Sequence, residues 1–106
     1  MAEGDFYFDV FSEVPELSIR RMFGGLGIFA DKTMFALVAD GDLYLKVDDE
    51  TLDVFEAAGC LPFVYTGKNK PIQMSYWTVP EEFYDDIDER REWTDRAIGA
   101  AMRAKT

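Results

Sequence analysis

The Asp-Gly pair at Asp40-Gly41, set between two apolar runs, constrains this chain more than any other feature. Asp-Gly suits the positive-φ turns whose twist matches a two-stranded ribbon, so it places a hairpin in the middle of the sequence. After the turn, Leu43, Leu45 and Val47 alternate with Tyr44 and Lys46, the period of a half-buried strand over Asp42 to Val47. Before it, Met34 to Ala39 is apolar at nearly every position, as a strand covered on both faces would be. Asp31-Lys32 reads as another turn, and the glycine-weakened run Arg21 to Phe29 reads as one extended strand ahead of it. These three strands form an antiparallel meander.

Helical spacing brackets the meander. Tyr7, Val10, Phe11 and Val14 share one face of a segment from Asp5 to Val14 that Pro15 stops. Asp48-Asp49-Glu50 opens a second helix carrying Leu52, Phe55 and Ala58, and Gly59 stands where a glycine cap belongs. Pro62 to Thr66 and Ile72 to Val79 read as two more strands joined by Gly67-Lys68-Asn69-Lys70. Pro80 fits the start of a short helical turn through Tyr84. Asp86 with Glu89 resembles a capping box for a last helix with Trp93, Ala97, Ala100 or Ala101, and Ala104 on one stripe. The expectation is a single α+β domain over residues 1–106, in two layers. One antiparallel five-stranded sheet carries helices on one face, in the order α-β(3)-α-β(2)-α.

The side-chain inventory narrows the chemistry. The 106 residues include no histidine and one cysteine, Cys60. Histidine-based nucleophilic catalysis, intrachain disulfides and nearly every ordinary zinc site are therefore ruled out, and no enzyme, cofactor or metal is expected. Gly24-Gly25-Leu26-Gly27 matches no phosphate-binding pattern and sits within a strand. Asp40 and Asp42 lack the spacing of a calcium loop. Cys60 has no activating base and reads as a small buried hydrophobe.

Charge and surface speak to partners. Twenty-one acids against eleven bases give a formal net charge of −10, concentrated in residues 40 to 56 and 81 to 92. Such a balance argues against direct binding of nucleic acid; the acidic blocks read as solvated helix faces and first-turn acids, or as a surface for a basic protein partner. No run of about 18 apolar residues is present for a membrane span, and an unpaired cysteine without a basic leader fits the cytoplasm. Arg20 and Arg21 precede a strand, where alternation sends them to opposite faces. With Lys46, Lys68 and Lys70 they are the candidates for an anionic contact, the weak nucleic-acid-binding alternative included. Tyr44, Tyr65, Tyr76 and Trp77 lie on strands, and helices cover only one sheet face, so some of these rings are candidates for an open interaction surface. A homodimer acting as a chaperone-like scaffold is the other way to cover such a surface.

Arg20-Arg21-Met22-Phe23-Gly24-Gly25-Leu26-Gly27-Ile28-Phe29 is followed, at a characteristic spacing, by Asp42-Leu43-Tyr44-Leu45-Lys46-Val47-Asp48 and Phe55-Glu56-Ala57-Ala58-Gly59. Pro62-Phe63-Val64-Tyr65 and Met74-Ser75-Tyr76-Trp77-Thr78-Val79-Pro80 complete the series. Over roughly residues 5 to 101 the chain resembles the N-terminal domain of the TfoX/Sxy competence-regulator family. The Arg-Arg-Met-Phe-Gly-Gly and Tyr-Trp-x-Val-Pro elements are its most specific parts. The resemblance implies the same sheet-and-helix arrangement, similar at fold level to type III secretion chaperones. It also implies a regulatory role, with transcription machinery as the partner class, and no catalytic residue set. The candidate binding residues are Arg20, Arg21, Phe23, Gly24, Gly25, Tyr44, Lys46, Tyr76 and Trp77. The longer regulators carry a second domain, and a stand-alone first domain is expected here.

Overall fold

The structure, a computed structural model, describes residues 3–22, 24–66 and 70–105. The chain runs α1 (Glu3–Val10), β1 (Leu17–Met22), β2 (Gly25–Ala30), β3 (Thr33–Ala39), β4 (Asp42–Lys46) and α2 (Leu52–Ala57). It continues through β5 (Pro62–Thr66), β6 (Pro71–Thr78), a 3-10 turn at Glu81–Phe83 and α3 (Ile87–Lys105). The strands form one antiparallel sheet in the order β1-β2-β3-β4-β6-β5.

The described residues thus hold six strands where the sequence suggested five. The extra strand comes from the glycine run. Gly24 adopts φ +76°, which reverses the chain and lets β1 pair back onto β2 instead of continuing as one strand. Gly25 then passes so close to β3 that a Cβ there would lie 1.9 Å from the Val38 carbonyl oxygen. The double glycine is a turn plus a close backbone approach. Phe23, just before it, and the Gly67-Lys68-Asn69 part of the β5–β6 turn lie outside the described residues.

Other turns follow the sequence reading. Asp40 and Gly41 take φ 52° and 83°, and Asp31 and Lys32 take 46° and 70°, the double positive-φ geometry of tight hairpins. Gly59 ends α2 at φ 80°, with Cys60 N donating to Phe55 O and Gly59 N to Glu56 O. Asp86 Oδ1 caps α3 by accepting from Asp88 N (2.9 Å) and Glu89 N (3.2 Å). Glu89 turns instead toward Trp93 Nε1, which donates to its carboxylate at 3.4 Å. Helix α1 stops at Val10, and residues 11–14 continue as turns, so the first helix is shorter than its apolar spacing implied.

The register fixes the two sheet faces. Ile19, Ile28, Ala36, Leu45 and Trp77 are successive cross-strand partners and belong to the core beneath the helices. Phe11 meets Phe35 edge-on at 5.2 Å, and Phe55 meets Trp93 at 4.8 Å. Ala97, Ala100 and Ala101 are buried, and their small size lets α3 lie close against β3 and β4. Ala104, expected on that stripe, is exposed. Cys60 is buried, and burial pushes its thiol up from 9.0.

Arg103, near the end of α3, clamps the turn before α2. It reaches Asp48 Oδ2 at 2.6 Å and Glu50 Oε2 at 2.8 Å. The Arg103 hydrogen bond, assisted by Thr51 and the Glu50 amide, holds the Asp48 carboxyl below 3.8. A carboxyl lowered in the folded state contributes stability above its ordinary value and loses it as pH falls through the lowered one. Asp48→Asn is therefore expected to reduce urea resistance at neutral pH. Its deficit against the parent chain should shrink as the pH drops below 3.8 and vanish once the pH passes the lowered value. Trp93→Ala should cost about 3–5 kcal/mol in the same denaturation experiment, because the ring is buried against Phe55. Gly25→Ala should be strongly destabilising, while Gly4→Ala, whose added methyl meets nothing within 4 Å, should not.

Candidate functional site

The second face of the sheet is concave. The register places Arg20, Gly27, Leu37, Tyr44 and Thr78 across it as successive partners. Three places separate β3 from β5 in the sheet order, yet side chains of both line one cleft of 300 Å³. Its walls are Met22 of β1, Met34 and Leu37 of β3, Phe63 and Tyr65 of β5 and Met74 of β6, and no helical residue contributes. The β5–β6 ribbon therefore curls over the sheet. The register shift between Pro62 and Val64 supplies the local bend, and ordinary strand twist supplies the rest. The Phe63 ring reaches Tyr44 of β4 at 4.9 Å across the intervening strand.

Gly27 makes the floor of the cleft. A Cβ there would lie 2.4 Å from Met22 Sδ, 3.0 Å from Met34 Sδ and 3.1 Å from the Phe29 ring. Its missing side chain is the space the two thioethers use. Methionine walls are unbranched and polarizable, suited to occupants of irregular shape.

Four of the residues singled out from the sequence meet on this face. Arg20 is exposed, its guanidinium 5.7 Å from the Phe29 ring centroid. Lys46 places its Nζ 5.1 Å from the Tyr76 centroid and 2.5 Å from Ser75 Oγ. Tyr44 is half-buried, and burial, then Asp42 and Asp40, pushes its phenol up from 10.0. Tyr76 is buried, and its phenol is raised for that reason. Both rings stay neutral at physiological pH and offer hydroxyl hydrogen bonds beside apolar area.

The other candidates lie elsewhere. Trp77 faces the helices, as strand alternation requires of a neighbour of Tyr76. Arg21 pairs with Leu26, on the face opposite Arg20; it is exposed and makes no ion pair among the described residues. Gly24 and Gly25 shape the β1–β2 turn. Tyr65 is half-exposed at the rim of the cleft. Phe23 and Lys68 lie outside the described residues, and Lys70 is exposed at the ribbon's far end.

Sequence reasoning missed Met22, Met34, Met74 and Phe63 as a set. They are scattered over four strands, and only the curl brings them together. Their charge environment was also hidden in the total. Strands β1, β2, β3, β5 and β6 contain no Asp or Glu, and Asp42 is the one acid of β4. The helices and turns hold the rest, so a chain of net charge −10 has a sheet whose charged side chains are mostly cationic. Among the described residues, no three His, Cys, Asp or Glu side chains group as a metal site. No helix among them is long and apolar enough to cross a membrane.

The TfoX N-terminal domain model matches residues 9–101, nearly the whole of this arrangement. The chain belongs to that family. It is 35% identical over 77 residues to DNA transformation protein TfoX1 of Aliivibrio fischeri (strain ATCC 700601 / ES114), covering 73% of this chain and 37% of that protein. It is 22% identical over 90 residues to Protein Sxy of Escherichia coli (strain K12), covering 85% of this chain and 43% of that protein. The chain thus spans less than half the length of these curated relatives. In this TfoX N-terminal domain, Arg20, Arg21 and Met22 of the Arg-Arg-Met-Phe-Gly-Gly element end an edge strand, and Gly24 and Gly25 shape the turn after it. The Tyr-Trp-x-Val-Pro element contributes one ring to each face of the sheet.

Proposed function

We propose that this TfoX N-terminal domain is a non-enzymatic regulatory module that docks another protein on the concave face of its sheet. The observation that carries the reading is the apolar cleft there, lined by Met22, Met34, Leu37, Phe63 and Met74 and left uncovered by the helices. Apolar concavities with a few convergent polar groups are the usual form of binding sites, and this one has Tyr44 and Lys46 beside it. Family membership gives the regulatory direction, since one relative is named a DNA transformation protein. Control of DNA-uptake genes, with transcription machinery as the partner, is the process this reading assigns.

Direct contact with nucleic acid is less well supported. A phosphate backbone calls for a contiguous basic footprint, whereas Arg20 and Arg21 lie on opposite faces and Lys46 is engaged with Tyr76 and Ser75.

Site-specific photocross-linking in cells tests the docking reading. A benzophenone amino acid at Tyr44 is expected to yield discrete protein adducts, and the same probe at Asp95, exposed on α3, none. Adducts in equal yield at both positions, or none at Tyr44, would remove the concave face as the docking site.

A further inference from the structure

The curled sheet is an unfinished barrel. Strands β1 and β5 are its two edges, each with one neighbour, β2 and β6 respectively. Met22 of one edge and Phe63 and Tyr65 of the other line the same cleft, so the edges stand across it from each other. An open strand edge is a row of unmet hydrogen-bonding groups, which proteins usually protect with charges, bulges or proline. On β1, Arg20 and Arg21 provide that protection. On β5 it is weak. Pro62 and the register shift before Val64 guard only its first positions, no residue of Pro62–Thr66 is charged, and Val64 and Tyr65 are 45% and 46% exposed.

Charge indicates what the seam accepts. No acid occurs between Glu56 and Glu81 or between Glu16 and Asp31, the stretches that contain both edges. Arg20 flanks the seam on the concave side and Arg21 on the outer side, where the two sets of side chains of an added strand would emerge. Asp40 and Asp42 lie near Tyr44, on the other side of the cleft from β1.

We propose that the seam between β5 and β1 admits an extended segment of the partner, in which apolar residues alternate with acidic ones. The segment adds to the sheet at β5. It sends its apolar side chains over Gly27 among the cleft methionines and turns its acids outward, to the side of the sheet where Arg21 stands. Main-chain hydrogen bonds supply affinity, and the alternate pockets supply specificity, as in other strand-addition complexes. A second copy of this chain is a poorer fit, because its own edges are uncharged or basic. The proposal rests on the docking role of the concave face and specifies the chemistry of what docks there.

The test uses end-capped nine-residue peptides alternating valine with glutamate, or valine with lysine. Their binding is followed by fluorescence anisotropy and by amide exchange of β5. The glutamate peptide is expected to bind saturably, at least about tenfold tighter than the lysine peptide, to weaken with added salt, and to protect β5 amides. Gly27→Val fills the floor of the cleft, and Tyr65→Glu puts a repelling charge on the edge; each should weaken binding about tenfold or more while circular dichroism stays unchanged. Indifference to peptide charge, binding unaffected by both substitutions, or self-association through β5 in place of peptide binding would overturn the proposal. If the Tyr44 cross-links form but no peptide binds, docking on the face stands and strand addition falls. If the peptide binds and protects β5 but no cross-links form, strand addition stands and the wider docking face falls.

Discussion

Three helices and one sheet leave a packing constraint that the rest of this molecule answers. The helices bury one face, where Ile28, Leu45 and Trp77 lie in a row beneath Phe55 and Trp93. The other face has no layer of its own, yet its strands are as apolar as those of a covered sheet. The chain resolves this by bending. The β5–β6 ribbon folds back, Phe63 packs on Tyr44, and much of the apolar surface is withdrawn without another helix. A cleft remains because a sheet curled this far does not close on itself.

Local codes made much of the fold legible. Leu43, Leu45 and Val47 announced their strand by alternation, Asp40-Gly41 its turn, Gly59 a helix end and Asp86 a helix start. Each acts within a few residues; the strand stops at Lys46, one residue short of Val47, and the turn and the helix caps stand where they were read. Gly24 and Gly25 misled because a glycine pair inside an apolar run has two solutions: a weakened strand, or a reversal with close backbone contact. The choice lay with the distant carbonyl of Val38. The helix at the N-terminus shortened for a similar reason. Phe11 and Val14 are placed by the core they enter, and turns present them as well as another helical turn would.

The site was legible only in part. Alternation separates Arg20 from Arg21 and Tyr76 from Trp77, so one member of each pair could reach an open face. The curl that turns that face into a cleft has no local signature. It depends on accumulated twist and on a register shift at the start of β5, and it recruits methionines that read as ordinary core. Electrostatics carried a similar disguise. A total of −10 describes an acidic protein, while the strands are almost free of acid, and a partner meets the local arrangement rather than the sum.

The ribbon also joins two unlike regions of the molecule. Trp77 anchors its inner end in the core, whereas Val64, Tyr65 and Ile72 farther out are open to solvent. The rim of the cleft and the foundation of this domain thus rest on different residues, and a substitution at Tyr65 alters the one without entering the other.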